Sequence, residues 1–178
     1  MRAHSLAIAA AASLGLASAG QAQGPQRLPA AVQAHVAGLH KECREYGGSP
    51  GPSPDLVKSA DLNGDGLADY VVNIGAYVCQ GAASALAAGQ SGAGVTVFAG
   101  GPGGTATQAF SDTVYAANIE TKAGKAQVFM EVGGAACGQR NAANVPFSNW
   151  TFCARPLVWN PAKRVFDYAP LSQARPIQ

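Results

Sequence analysis

The chain has 178 residues, with 12 Lys and Arg against 10 Asp and Glu, which gives a formal net charge of +2. Neither sign of charge is gathered into a block, so nucleic acid and anionic membranes are not expected as partners. The length suits one domain with a real hydrophobic core.

Residues 1–22 have the features of a secretory signal peptide. Arg2 gives a short positive start, Leu6–Leu16 is an apolar run, and Ala17–Ala19 offers small residues for cleavage. A membrane-spanning helix needs about 20 apolar residues, which this run does not reach. We therefore expect a secreted or periplasmic protein without a membrane anchor after cleavage, and a mature part, 23–178, that is a single α+β domain.

The first predicted element of the mature part is a helix over residues 29–46. Val32, Val36, Leu39 and Cys43 recur at spacings of three and four residues, which places them on one face of a helix. A proline precedes them and a pair of glycines follows, as at the start and end of many helices.

The remaining chain is mostly β in its pattern. Branched and aromatic residues alternate with loops rich in Gly, Ala, Asn and Pro. The predicted strands and hairpins lie at residues 70–78, 95–98, 113–121 with 125–132, and 150–159 with 165–168. One N-terminal helix packed on a mainly antiparallel, disulfide-stabilised β-sheet is therefore expected, an α+β fold. We expect the tail, residues 173–178, to be loose.

Four cysteines, Cys43, Cys79, Cys137 and Cys153, all lie in the mature part. An even number in an exported chain predicts two disulfides, for which three connectivities exist. We favour Cys43–Cys79 and Cys137–Cys153, because each would join elements that are adjacent in sequence. A structural zinc site is the alternative, but it would lack the usual pair of cysteines two residues apart.

The segment from Asp61 to Asp69 has the spacing of a calcium loop. Asp61, Asn63, Asp65 and Asp69 place side-chain oxygens at positions 1, 3, 5 and 9, and Leu67 can offer its carbonyl at position 7. Calcium takes six to eight oxygen ligands, and an all-oxygen set favours it over zinc or copper. The predicted metal site therefore consists of these five residues and binds Ca²⁺.

Two features separate this loop from an EF-hand. Position 12 is Val72, where an EF-hand has a bidentate Glu, and a strand pattern follows the loop instead of a helix. Gly66 at position 6 permits the left-handed turn that lets the chain fold back over an ion. Without the Glu we expect a weak site, in the range of extracellular modules at about 10⁻⁴–10⁻³ M.

The segment Asp61–Val72 resembles the calcium loop of FG-GAP/VCBS-type repeats, which occur in integrin α propellers and many bacterial secreted proteins. The resemblance implies that Asp61, Asn63, Asp65 and Asp69 ligate calcium, with the Leu67 carbonyl, and that the apolar run after them is a strand. The loop occurs once, so a propeller is not expected. More loosely, the chain resembles small bacterial exported proteins with one Asp-rich loop in a Gly-rich β domain, which implies no function.

Two alternatives stay open. Asp, Asn and Gly are ordinary turn formers, so the loop can also be a turn without metal. A C-terminal group of aromatic residues can be core or an exposed surface; its members are Trp150, Phe152, Trp159, Phe166 and Tyr168. In the second case the protein would be an inhibitor-like module that binds a protein or a glycan, and exposure of either tryptophan would favour it.

The sequence gives little indication of catalysis. His35 and His40 are five residues apart on the predicted helix, so they do not share a face. We therefore expect a small exported calcium-binding domain with a structural ion, and not an enzyme.

Overall fold

The computed structural model describes residues 27–86 and 91–177, so the predicted signal peptide at 1–22 lies outside the described residues. Within these ranges the chain forms one α-helix, several short 3-10 turns and a series of β-strands. In chain order the elements are α1 (Ala30–Glu45), β1 (Ser49–Pro50), β2 (Val57–Ala60), β3 (Asp69–Asn73), β4 (Cys79–Gln80), β5 (Ala93–Gly101), β6 (Thr105–Val114), β7 (Ala116–Lys122), β8 (Lys125–Gly133), β9 (Phe152–Asn160), β10 (Val165–Tyr168) and β11 (Arg175–Pro176).

The strands of the described ranges form three antiparallel sheets. A four-stranded sheet has the order β2-β3-β5-β6, and a five-stranded sheet has the order β10-β9-β8-β7 with β11 paired to β9. Strands β1 and β4 form a small separate pair. One N-terminal helix followed by antiparallel sheets confirms the predicted α+β fold.

The four-stranded sheet is the middle layer. Side chains alternate along a strand, so Tyr70 and Val72 of β3 pack with Val32 and Leu39 of α1 on one side. Val71, between them, belongs to the larger hydrophobic cluster shared with the five-stranded sheet. The helix therefore covers one face of the middle sheet, and the second sheet covers the other.

Two disulfides join elements of the fold. Cys43–Cys79 ties α1 to β4 across a sequence separation of 36, and Cys137–Cys153 ties the turn after β8 to β9 across 16. In the chain-entropy account, loops of this size stabilise the fold by about 4 and about 3 kcal/mol. The pairing is the one favoured by the order of the elements.

The helix and both predicted hairpins are confirmed, whereas the C-terminal tail differs from its prediction. The tail was expected to be loose, but Arg175 and Pro176 pair with β9. The Arg175 guanidinium lies 3.8 Å from the centre of the Phe129 ring and forms a bidentate ion pair with Glu120. These contacts hold the tail against the outer face of the five-stranded sheet.

Strands β2 and most of β6 fall outside the predicted strands. Among the described strands, β6 pairs only with β5, so it is an edge strand with much of its length exposed. An edge strand needs few apolar residues, and its sequence pattern is correspondingly weak. None of the helices in the described ranges is both long enough and apolar enough to cross a membrane.

Candidate functional site

The acidic loop connects β2 to β3, which are antiparallel neighbours in the middle sheet. Ala60 and Asp69 form the pair next to the loop, so residues 61–68 make the connection. Gly64 and Gly66 have φ angles of +82° and +83°, in the left-handed region that suits glycine. The two glycines let the chain fold back within a few residues.

Side-chain oxygens hold this loop from within. The two carboxylate oxygens of Asp61 accept from the backbone N–H groups of the two glycines, at 2.7 and 2.9 Å. Asn63 Oδ1 accepts from the N–H of Asp65 at 2.9 Å, and Asp65 Oδ1 accepts from the N–H of Leu67 at 2.8 Å. These are local side-chain turns of the kind that Asp and Asn favour. These hydrogen bonds fix the positions of alternate side chains in the loop.

Asp69 has a different environment, because it is fully buried at the start of β3. Its Oδ2 accepts from the N–H groups of Leu62 and Asn63 at 2.8 and 3.1 Å, and its Oδ1 accepts from Gly100 at 2.8 Å. Burial raises the pKa of the Asp69 carboxyl, the three backbone donors oppose that rise, and the charge of Asp65 adds to it. Asp69 thus joins the loop to β5.

The structure brings three of the predicted ligands together. Asn63 Nδ2 lies 3.1 Å from Asp65 Oδ2 and 3.5 Å from Asp69 Oδ1. Asp61 stays with the glycine N–H groups, and Leu67 is exposed. Across the described residues, no group of three or more Asp, Glu, His or Cys side chains is placed to hold a metal. A cation here would therefore also need amide and carbonyl oxygens.

The donor set fits a hard cation in its chemistry. A carboxylate has about four acceptor positions, and the carboxylate of Asp61 uses two of them for backbone N–H groups. Asp65 uses one oxygen for a backbone N–H and the other for the Asn63 amide. Each side chain retains lone pairs that calcium could use, and the Leu67 carbonyl would add a further oxygen.

Gly100 is a site residue that sequence reasoning missed. A Cβ at this position would lie 2.1 Å from the carbonyl oxygen of Ala68, so only glycine lets β5 pass the end of the loop. The same close approach delivers the Gly100 N–H to Asp69. In the sequence Gly100 belongs to a glycine-rich run that predicts only a turn.

The two histidines of α1 pack against different aromatic rings. The ring of His35 lies edge-on to Phe98, with centroids 5.6 Å apart, and its burial lowers its pKa. His40 Nδ1 lies 2.9 Å from the hydroxyl of Tyr77. Both side chains are partly buried.

The two tryptophans are both half-buried. Trp150 donates from Nε1 to the carbonyl of Val145 at 3.0 Å, and its ring lies 5.4 Å from that of Phe147. The Trp159 ring lies 4.9 Å from that of Phe166. Neither full exposure nor complete burial is observed, so the aromatic binding surface stays a prediction.

No protein-family model matches the chain, and neither does a curated protein or a solved structure. The resemblance of Asp61–Val72 to FG-GAP/VCBS-type loops therefore stays a prediction that depends on the residues of the loop.

Proposed function

We propose that this protein is an exported domain that binds calcium in the loop Asp61–Asp69, and that the ion stabilises the fold. The observation that supports this most is the arrangement of Asn63, Asp65 and Asp69, whose polar atoms meet at 3.1 and 3.5 Å. The carboxylates of Asp65 and Asp69 both approach the same amide nitrogen, and two negative charges on one amide repel each other. The Asn63 amide carries only a partial positive charge, so a divalent cation would offset the repulsion more completely.

The position of Asp69 supports a structural role for the ion. Asp69 is buried, and it connects the loop to Gly100 in the middle sheet. An ion that orders the loop would therefore strengthen the join between β3 and β5, which both contribute to the two hydrophobic clusters. The expected effect of calcium is on stability, not on a chemical step.

Export is supported by the two disulfides, which persist in oxidising compartments, together with the leader pattern at 1–22. Extracellular calcium modules bind in the range of about 10⁻⁴–10⁻³ M. A site without the bidentate Glu of an EF-hand would suit that environment.

The proposal is tested by thermal unfolding of the mature protein in EDTA, in 10 mM calcium and in 10 mM magnesium. With a Kd of about 10⁻⁴–10⁻³ M, this calcium concentration stabilises the folded state by about 1.4 to 2.7 kcal/mol. For a chain of this size the melting temperature should rise by about 3 to 10 °C. Magnesium should have a smaller effect, because it keeps its waters and demands an octahedral site.

The variant Asp65→Asn separates ion binding from the hydrogen bonds of the loop. Asparagine keeps an oxygen that can accept from Leu67, but it removes one negative charge. We expect the calcium shift to disappear while the variant still folds in EDTA. Asp55→Asn is the matched control, since Asp55 is exposed, lies outside the loop and forms an ion pair with Lys58. An absent calcium shift in the wild type, or an equal shift in Asp65→Asn, would refute calcium binding here.

A further inference from the structure

Strands β8 and β9 are paired along only part of their length. Their register runs from Gly133 opposite Phe152 to Phe129 opposite Pro156 and then ends. Proline has no N–H to donate, so it is a natural end for a ladder. Beyond it, residues 125–128 pair with β7, and residues 157–160 pair with β10. The facing edges of β8 and β9 are not paired with each other there.

A groove of 560 Å³ opens at this divergence, and we call it the split groove. Its volume falls within the range of about 300–1,000 Å³ that is usual for ligand sites. Apolar side chains line much of it, among them Leu62, Phe129, Val158 and Trp159. Leu62 comes from the acidic loop, so the groove lies between that loop and the five-stranded sheet.

The charged residues that line the split groove give it an excess of positive charge. They are Glu120, Lys122, Lys125 and Arg175. Arg175 and Glu120 neutralise each other in a bidentate ion pair. Lys122 and Lys125 are both exposed at the β7–β8 turn, and neither takes part in the ion pairs formed among the described residues. Two cationic side chains thus remain free at one end of the groove.

We propose that the split groove binds an extended peptide segment with acidic side chains, supplied by another protein. An unpaired strand edge offers N–H and C=O groups in the spacing of a peptide backbone, as in other cases of strand addition. Four residues are free on each edge. At about 3.3 Å per residue a segment of about four to six residues would fit.

Each part of the lining has a role in this binding. The strand edge pairs with the peptide backbone, Trp159 and Leu62 contact its apolar side chains, and Lys122 and Lys125 attract its carboxylates. A glycan would use the aromatic and polar side chains but would leave the strand edge unpaired. The peptide therefore accounts for more of the groove than a glycan does. The proposal does not rest on calcium binding, although the lining includes Asn63, a proposed calcium ligand, and its neighbour Leu62.

The test is fluorescence anisotropy with the mature protein and a labelled, capped peptide of sequence Val-Glu-Val-Glu-Val-Glu. The measurement is made in EDTA, so that its outcome is independent of the calcium proposal. We expect saturable binding that weakens with added salt. A Val-Lys-Val-Lys-Val-Lys peptide should bind much more weakly, and so should the acidic peptide with N-methylated backbone amides, which cannot donate to a strand edge.

Lys122→Glu and Lys125→Glu test the location. Each should weaken binding at least about threefold, because it replaces an attractive charge pair with a repulsive one. Arg140→Glu is the matched control: Arg140 is exposed and does not line the groove, so affinity should be unchanged.

Several outcomes would overturn the proposal. They are no binding of the acidic peptide at millimolar concentration, equal binding of the lysine or N-methylated peptide, or an equal effect of Arg140→Glu. An acidic oligosaccharide that binds where the peptide does not, or self-association through the same residues, would assign the groove to a different occupant.

Discussion

Gly100→Ala should be among the most damaging single-methyl changes in this protein. The added Cβ would lie 2.1 Å from the Ala68 carbonyl oxygen, and the obstructing atom belongs to the backbone. A side chain could rotate away from such a contact, but a backbone carbonyl cannot. Strand β5 must therefore move away from the end of the acidic loop.

The cost has two parts. Overpacking of a well-filled region costs about 1–3 kcal/mol. Movement of β5 also lengthens the bond from the Gly100 N–H to the buried Asp69 carboxylate, 2.8 Å in the native structure. Hydrogen bonds to charged groups contribute about 1.5–3 kcal/mol. Alanine restricts the unfolded chain and regains about 0.4–1 kcal/mol. The net loss should be about 2–5 kcal/mol.

Urea unfolding followed by circular dichroism measures this loss, with Gly38→Ala as the control. Gly38 lies in α1, and a Cβ there would meet nothing within 4 Å. Alanine favours a helix by about 1 kcal/mol over glycine, so the control should be stabilised. A Gly100→Ala protein within about 0.5 kcal/mol of the wild type would show that the close approach is not required. In a double-mutant cycle that combines Gly100→Ala with Asp69→Asn, the losses in unfolding free energy should be less than additive, because both changes remove the same hydrogen bond.

Two further predictions concern α1 and the second disulfide. Burial lowers the pKa of His35, so its neutral form is favoured in the folded state. Its contribution to stability should be complete above the unfolded value of 6.5 and should fall as the pH drops toward the folded pKa. In His35→Gln, urea midpoints should therefore decline less between pH 7 and pH 5 than in the wild type; an identical decline would contradict this. Replacing Cys137 and Cys153 together by serine should cost about 3 kcal/mol, measured by the same midpoints, and a loss under 1 kcal/mol would count against the chain-entropy account.

Local patterns predicted the elements whose contacts are local. The helix was found from apolar residues three and four positions apart, and its buried residues include Val32, Leu39 and Cys43. The β7–β8 hairpin was found because a short turn separates two β-rich segments. Both signals lie within a window of about twenty residues, which is the range over which periodicity is informative.

Features that depend on distant contacts could not be predicted in this way. The hydrogen bond between Asp69 and Gly100 joins residues 31 positions apart. Nothing in the neighbouring sequence distinguishes Gly100 from the other glycines of its run. The divergence of β8 and β9 depends on which residue faces Pro156, which is known only once the register is known. The tail strand is two residues long and has no pattern of its own.

Asp69 illustrates how one residue can satisfy a motif and a fold at once. The motif counts it as the ninth-position ligand, equivalent to Asp61 and Asp65. In the fold, three backbone N–H groups contact its carboxylate, and it is the member of the three that is fully buried. Replacing Asp69 would therefore destabilise the protein with or without calcium. Asp65 lies in the exposed part of the loop and makes only local bonds. A calcium effect is thus best isolated at Asp65, because a loss at Asp69 would not distinguish a missing ion from a missing anchor.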